Sequence, residues 1–362
     1  MSGATRYIAV RALTGEVTSW DLPLTNVEWG PELSGAGSLR ATLEPKLVST
    51  HADLLEEGNT YLYVEQAGLL RWGGIVWSAE PEGGSYPIEA ATWSSYLKRR
   101  HDVHGELNAR GPYVYADPCG IIRDTWAYAQ EAPDGDIGVR VDDTTSSAKV
   151  GTPASPLSIA WWEIPELANV IDQALKGVVG GPEWMDDVEW GPDGKPLHRV
   201  RLGWPRLGSR RTDLSFASGV NIVGTPRIAM NADEYAQVII ATGAGEGRSR
   251  RRAISAVRDG RLRLEHHLDI PGEKGTDRLS ARAEDERAIR QIRGDVDEIT
   301  VIDHPAAPLG SWRVGDDVQV TVNGPWASWS GWCRIVGWTI SDDHPQQARL
   351  DLRRADSYTY GG

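Results

Sequence analysis

The chain of 362 residues is poor in the residue types that mark several common protein classes. Its two cysteines, Cys119 and Cys333, lie far apart with no metal-ligand spacing around either, which excludes a disulfide framework and a zinc site as the basis of the fold. We expect both to be free, partly buried thiols. No window approaches the roughly twenty apolar residues of a membrane helix, and the first residues lack the apolar core of a signal peptide. These absences favour a soluble protein that is synthesised in the cytoplasm.

Basic residues are fewer than acidic ones, with 38 Lys and Arg against 51 Asp and Glu, and the formal net charge is -13. Because phosphates are repelled by such a surface, the composition disfavours nonspecific binding of nucleic acid. The densest basic run comprises Arg248, Arg250, Arg251 and Arg252. A solvated loop is its simpler interpretation, and contact with an acidic partner is the alternative.

Phenylalanine is nearly absent, since Phe216 stands alone against 16 Trp and 11 Tyr. Large rings with a polar edge suit half-buried strand faces and interfaces, where one side is packed and the other meets water or a partner. A compositional bias toward Trp would give the same count. The aromatic content therefore indicates half-buried surfaces but does not show where on the protein they lie.

Motifs for catalysis or cofactor binding are missing as well. The glycine-rich segment 243–247 follows a predicted strand, but it lacks the Lys-Ser/Thr pair of a P-loop and opens no apolar helix. His266 and His267 are adjacent, so in a strand they point to opposite faces and cannot chelate one ion together. A glycosidase-like carboxylate pair could be drawn only from a group that the sequence does not place at a cleft: Glu163, Glu166, Asp186, Asp187 and Glu189. We predict no catalytic residue, no metal and no cofactor.

What the sequence does contain is a duplicated β module. The first copy covers 58–65, 72–78 and 88–91, and the second covers 315–322, 332–339 and 348–352. Each copy is typical of a meander of three alternating strands. The signature residues of the two copies are Gly58, Trp72, Gly73, Gly74 and Ile75 in the first and Gly315, Asp316, Arg334, Ile335 and Gly337 in the second. Two such modules predict a pseudo-symmetric assembly rather than a single pocket.

Composition along the chain predicts a mainly β fold with helical insertions, a β+α class. Two related small β-barrel domains are expected, together with peripheral α/β segments. The predicted boundaries are 1–98 for the first barrel, 99–187 for a peripheral insertion with helices, 188–355 for the second barrel, 246–295 for a helical insertion within it, and 356–362 for a C-terminal tail.

Three helices are predicted within this plan. Asp117 and Pro118 form a cap and first-turn pair for one helix. Pro165 opens a second, in which Leu167, Val170, Ile171, Ala174 and Leu175 follow helical spacing. The third covers 277–293, where Gly and Pro are absent. The first two helices are expected to cover the outside of a barrel.

Several segments, taken in their order along the chain, carry a resemblance to a known family. They are 34–43, the pair 61–64 and 72–76, the segment 96–100, and the pair 315–318 and 334–337. In these segments the chain resembles the tail-tip or baseplate hub proteins, also called Tal-like minor tail proteins, of siphophages that infect actinobacteria. The resemblance spans nearly the whole chain.

The resemblance implies a non-enzymatic virion protein at the distal end of a phage tail. It implies a homotrimer in which two barrels per subunit make a ring of six, continue the sixfold tail tube and adapt it to threefold tip components. The implied partners are a distal tail protein ring, the C-terminus of the tape-measure protein, and tail fibres or further tip proteins. DNA would pass through during ejection without specific binding, and no membrane insertion is implied.

Two alternatives remain open from the residues. One is a Trp-rich carbohydrate-binding tail protein that attaches to the host cell wall through Trp161 and Trp162 or through Trp326, Trp329 and Trp332. The other is a cell-wall hydrolase, which would need two of the acidic residues named above at one cleft.

Overall fold

The computed structural model describes most of the chain, namely residues 5–44, 54–105, 107, 112–175, 178, 181–229, 232, 235–271, 273–291 and 294–355. The tail predicted over 356–362 lies outside the described residues. Among those residues no helix has the length and apolar character needed to cross a membrane.

The strands are β1 (Thr5–Arg11), β2 (Val17–Ser19), β3 (Leu24–Gly30), β4 (Ser38–Leu43), β5 (Thr60–Gln66), β6 (Leu69–Ala79), β7 (Pro87–Ala91), β8 (Val139–Val141), β9 (Glu183–Trp190), β10 (Pro196–Gly203), β11 (Arg210–Ala217), β12 (Ile222–Val223), β13 (Val238–Thr242), β14 (Arg252–Ala256), β15 (Glu265–Asp269), β16 (Glu298–Ile302), β17 (Asp317–Asn323), β18 (Ser328–Ser341) and β19 (Gln347–Arg354). The α-helices are α1 (Pro118–Glu131), α2 (Leu167–Leu175) and α3 (Thr276–Arg290), and short 3-10 helices include Trp93–Arg99 and Trp161–Glu163.

The fold is mainly β with helical insertions, as the sequence predicts. Helix α1 begins at the predicted place, because the side chain of Asp117 accepts a hydrogen bond from the Cys119 backbone N–H at 2.9 Å and Pro118 occupies the first turn. Helices α2 and α3 likewise fall where helical spacing and the absence of Gly and Pro place them.

By its internal contacts the chain forms two compact units. Unit 1 comprises 1–209, 300–316 and 335–351, and unit 2 comprises 210–299, 317–334 and 352–362. The domain boundaries predicted above follow the sequence repeat rather than these contacts, and they stay a prediction.

The main sheet of unit 1 is antiparallel, with the strand order β3-β4-β7-β6-β5-β1-β2. The end of β18 pairs with β3 through Ile340 and Trp29. The hairpin between β5 and β6 turns on Ala67 and Gly68, both at positive φ, which is the geometry that two-residue hairpins favour. Among the described strands this order does not close on itself, so the barrel shape stays a prediction.

A smaller sheet in unit 1, with the order β8-β10-β9, shares one apolar core with the main sheet and with α1 and α2. The core brings together Ile8, Tyr63, Trp126, Ile171 and Val200. The two helices therefore contribute their apolar stripes to the core of unit 1, and their place on the outside of a barrel stays a prediction.

In unit 2, β17 lies between β11, which is parallel to it, and the first half of β18, which is antiparallel. A second sheet has the order β14-β13-β15. Helix α3 packs on it through Leu279 and Ala283, which contact Ile239, Ala241 and Ala253. The helical insertion predicted around 246–295 thus also contains β14 and β15, whose few apolar residues hid their period.

Both predicted copies of the β module are three neighbouring strands. The first is β5-β6-β7, and the second is β17-β18-β19. In the second copy, β18 begins at Ser328, four residues before the strand that the sequence indicates. The equivalence of the two copies in three dimensions stays a prediction.

Candidate functional site

The signature residues of the first module form the middle of β6, where main chain and aromatic rings meet closely. Trp72 is almost fully buried and its indole N–H donates to the Gly30 carbonyl oxygen at 3.3 Å. A Cβ on Gly73 would lie 2.8 Å from the Tyr63 ring and 2.9 Å from that of Trp93. Glycine at this position therefore lets β6 pack directly against two rings.

We expect Gly74→Ala to lower the free energy of unfolding by about 1–3 kcal/mol, which is typical of overpacking. Its Cβ would lie 2.4 Å from the Ala91 carbonyl oxygen, an atom of the neighbouring strand that cannot rotate away. Urea denaturation measures the change. Gly84→Ala is the matched control, since a Cβ there meets nothing within 4 Å, and equal losses in both variants would contradict the explanation.

Two of the first module's signature residues have simpler positions. Gly58 has a φ of 71° in the turn before β5 and its N–H donates to the Val76 carbonyl oxygen at 2.7 Å. Ile75 is buried in the core of unit 1. The signature residues of the first module therefore have structural roles in and around strand β6.

The second module's signature residues fall on a turn and on β18. Gly315 has a φ of 92°, where a side chain would be strained, and the Asp316 carboxylate accepts from the backbone N–H groups of Ser209 and Arg313 at 3.1 and 3.0 Å. Ile335 is fully buried, and a Cβ on Gly337 would lie 3.2 Å from a carboxylate oxygen of Asp351.

Arg334, the remaining signature residue, is part of a buried ion pair in unit 2. Its Nη1 lies 3.1 Å from Oδ1 of Asp317, and both side chains are almost completely buried. Removing one partner would leave the other as an unpaired charge in a low-dielectric interior. The ion pair therefore constrains how β17 and β18 align. The sequence marks Arg334 without indicating its partner.

A three-residue segment, Thr92–Ser94, is held by side chains of the smaller sheet of unit 1, and we call this contact the Trp93 junction. One oxygen of the Asp186 carboxylate accepts from the Thr92 hydroxyl at 2.5 Å and from the Ser94 N–H at 2.9 Å, and also from the Ser94 hydroxyl. These donors belong to residues at the start of the 3-10 helix Trp93–Arg99, so Asp186 caps this helix from strand β9.

Burial raises the pKa of Asp186 from its ordinary 3.8 to about 6, while the hydrogen bonds from Ser94 and Thr92 act to lower it. Within the described part of the chain, the other oxygen of Asp186 has no hydrogen-bond partner. An unsolvated carboxylate oxygen is costly when charged, which explains why burial outweighs the hydrogen bonds.

His198 holds the centre of the Trp93 junction. Its ring stacks on the Trp93 indole, with centroids 3.8 Å apart, and its Nδ1 lies 2.7 Å from the Ile137 carbonyl oxygen. A carbonyl oxygen only accepts, so Nδ1 carries the proton and Nε2 accepts from the Tyr63 hydroxyl at 2.7 Å. Burial lowers the pKa of His198 to about 4, which keeps the ring neutral.

The junction was missed in the sequence, although one signal was available. His198, Val200 and Leu202 alternate along β10, so His198 shares the inward face of that strand. A polar residue on an apolar face needs buried partners. The identity of those partners, far away in the chain, carried no signal.

A cavity of about 540 Å³ lies in unit 1 beside the Trp93 junction. Indole rings of Trp29, Trp72, Trp312 and Trp338 line it, together with Asp186, Asp187, Glu189 and Arg201. Arg201 forms an ion pair with Asp187, and Glu189 pairs with Arg199 at 2.7 Å. The cavity thus gathers three of the carboxylates considered above, each already engaged by neighbours. Glu163 and Glu166 do not line it.

The other candidates from the sequence do not line this cavity. A Cβ on Gly243 would lie 2.4 Å from the Glu273 carbonyl oxygen, so the main chain packs closely there. This close packing explains the glycine at position 243 without a bound phosphate. His266 is half-buried and His267 exposed on alternate faces of β15, as expected. Among the described residues no group of three potential metal ligands converges. Cys119 and Cys333 are free thiols, as expected, but both are fully buried rather than partly buried, because each lies among the apolar side chains of the core.

The basic run is partly engaged within unit 2. Arg250 forms an ion pair with Asp269, and a guanidinium N–H of Arg251 donates to the Thr276 hydroxyl at 3.3 Å. A role for the run in binding a partner stays a prediction.

No family model and no curated protein matches this sequence. Solved structures of phage tail proteins do match it along nearly the whole length of both chains. A tail protein from Neisseria meningitidis MC58 is 14% identical with a TM-score of 0.59, covering 97% of each chain. The prophage MuSo2 43 kDa tail protein from Shewanella oneidensis is 16% identical with a TM-score of 0.62, covering 97% of this chain and 98% of that one.

A third similar structure is the prophage tail protein gp18 from Listeria monocytogenes EGD-e, which is 12% identical with a TM-score of 0.56. The match covers 96% of this chain and 95% of that chain. At these identities the likeness is one of fold, and it supports the general resemblance to tail proteins found in the sequence. The narrower link to siphophages of actinobacteria stays a prediction.

Proposed function

We propose that this chain is a non-enzymatic structural hub of a bacteriophage tail tip. The observation that carries the proposal is the fold, which tail proteins from Neisseria meningitidis, Shewanella oneidensis and Listeria monocytogenes share over nearly their whole length. Matches of this length leave little of the chain outside the shared architecture, and the duplicated β module agrees with a protein whose role is geometric.

The duplication supports a threefold ring with pseudo-sixfold symmetry. Each chain carries the meanders β5-β6-β7 and β17-β18-β19. Three copies would place six related modules around one axis, which is how a threefold tip component can continue a sixfold tube. Pairing or packing of edge strands across subunits would also protect those edges from aggregation.

The acidic net charge is compatible with a channel through which DNA passes. A net charge of -13 disfavours phosphate binding, so a neutral or acidic lumen would let DNA slide without being held. A continuous Arg and Lys lining of the lumen in an assembled ring would contradict this part of the proposal.

The proposed place is the distal end of the tail, below a distal tail protein ring. The end of the tape-measure protein would contact the hub from inside, and tail fibres or further tip proteins would attach outside. The link to siphophages of actinobacteria rests on the sequence resemblance alone.

A hydrolase is less well supported by the cavity of unit 1. Acid hydrolysis of a glycoside needs one carboxyl that donates a proton and a second that acts on the sugar or on water. Asp186 instead caps the 3-10 helix at Trp93, and Asp187 and Glu189 are engaged in ion pairs.

The mass of the purified protein in solution tests the proposal. We expect a species of three times the 39.6 kDa of one chain, formed alone or on mixing with the distal tail protein. Analytical ultracentrifugation gives the mass, and negative-stain images of the same sample give the symmetry. A monomer under both conditions, or a ring of another order, would refute the trimeric hub.

A further inference from the structure

An exposed aromatic corner in unit 1 plays no part in the core or in the Trp93 junction. Trp161 is 41% exposed, Trp162 is 68% exposed and Ile164 is 55% exposed. The two indole rings have centroids 6.3 Å apart and an interplanar angle of 77°. They therefore make a right-angled apolar corner that faces solvent, which we call the Trp161–Trp162 corner.

The corner is held in place by its backbone. Trp161, Trp162 and Glu163 form a 3-10 turn, and Ile164 closes it in the left-handed region at φ 51° and ψ 56°. A β-branched residue rarely adopts this conformation. The Ile164 N–H donates to the Trp161 carbonyl oxygen at 2.9 Å, which keeps the turn closed. The indoles are thus presented by a strained turn rather than by a free loop.

A second loop supports the same corner. The Trp161 ring lies so close to Gly105 that a Cβ there would be 2.8 Å from it. The buried carboxylate of Asp102 accepts from the Gly105 N–H at 2.9 Å, and the Asp102 N–H donates to the Pro165 carbonyl oxygen at 3.1 Å. The loop that fixes Gly105 is therefore tied to the turn that carries the rings.

The charge around the corner narrows the class of ligand. Neither 101–105 nor 157–166 contains Lys or Arg, and the whole chain is acidic. Within these two segments a phosphate, an anionic lipid or an acidic glycan would find no lysine or arginine to pair with. His104 and Glu163 are exposed and adjoin Gly105 and Trp162 in the chain, and both can exchange hydrogen bonds with hydroxyl groups. An indole face is electron-rich and attracts the C–H groups of a pyranose ring.

We propose that the Trp161–Trp162 corner binds a neutral saccharide. The Trp162 indole stacks on the C–H face of one sugar ring, Trp161 forms the side wall, and His104 and Glu163 bond hydroxyl groups at the rim. This inference goes beyond the tail-tip hub and does not rest on the trimer. A hub with such a corner would have a sugar-recognising surface of its own.

The test is fluorine NMR of the full chain labelled with 5-fluorotryptophan, titrated with chitotetraose and with maltotetraose. Trp161→Phe and Trp162→Phe assign the two resonances. We expect one tetrasaccharide to shift them saturably, and Trp162→Ala to weaken the affinity about tenfold. Trp326→Ala is the matched control, since Trp326 is 96% exposed elsewhere, and it should leave binding unchanged.

Three results would overturn the proposal. In the first, neither tetrasaccharide shifts the two resonances at concentrations up to about 10 mM. In the second, Trp326→Ala weakens binding as much as Trp162→Ala does, which would indicate nonspecific contact with exposed indoles. In the third, phosphatidylcholine vesicles or a purified neighbouring tail protein shift the resonances and the sugars do not. The sedimentation mass, measured on the same variants, reports separately on the hub.

Discussion

Trp93→Ala is expected to lower the free energy of unfolding by about 3–5 kcal/mol, in the range for loss of a large buried ring. Trp93 has no exposed surface, stacks on His198, and donates its indole N–H to the Asp187 carbonyl oxygen at 3.1 Å. Removing it would leave a cavity between the main and smaller sheets of unit 1, and the Asp187 carbonyl oxygen would lose the indole donor. Urea denaturation followed by circular dichroism measures the loss.

Trp162→Ala is the matched control for this prediction, because it removes the same side chain from an exposed position. It should change the free energy of unfolding by no more than about 0.5 kcal/mol. Similar losses in the two variants would show that the Trp93 junction contributes no special stability.

The second large effect concerns how the stability of unit 1 depends on pH. The pKa of Asp186 in the folded protein is about 6, above its ordinary 3.8, so the folded state holds this proton more tightly than the unfolded chain does. The contribution of Asp186 to the free energy of unfolding therefore falls as pH rises from about 4 to about 6, by about 3 kcal/mol.

His198 acts in the opposite direction over nearly the same window. Its pKa in the folded protein is about 4, below its ordinary 6.5, so the unfolded chain takes up a proton that the folded state refuses. The contribution of His198 to the free energy of unfolding therefore rises as pH rises from about 4 to about 6.5, again by about 3 kcal/mol.

The two contributions nearly cancel in the native protein, and single substitutions should separate them. In Asp186→Asn the His198 contribution acts alone, so stability relative to the native protein should drop on going from pH 6.5 to 4. In His198→Gln the Asp186 contribution acts alone, and relative stability should rise over the same range. Comparing each variant with the native protein removes the titration of all other groups.

The double variant Asp186→Asn, His198→Gln provides the control, because it should regain the pH dependence of the native protein. Urea denaturation at pH 4, 5, 6 and 6.5 measures all four proteins. Parallel curves for the native protein and both single variants would mean that neither group changes its pKa on folding. A cancellation of this kind would keep the junction equally stable over an acid range.

Much of the secondary structure could be predicted from local pattern. The Asp117 and Pro118 cap, the apolar stripe of α2 and the run without Gly or Pro at α3 each depend on residues within a few turns of one another. Strands β5, β6, β7 and β17 were visible because their alternation and their turns are also local. Strands β14 and β15 were not, because their apolar residues are few.

The amino-acid sequence was enough to predict the acidic charge, the mainly β class and the two meanders, because composition and short-range periodicity determine these properties. Only tertiary folding brought Thr92, Trp93 and Ser94 to Asp186 and His198, and Arg334 to Asp317. The raised pKa of Asp186 and the lowered pKa of His198 arise from that burial. Desolvation depends on which distant segments cover a side chain, and a local pattern holds no information about that.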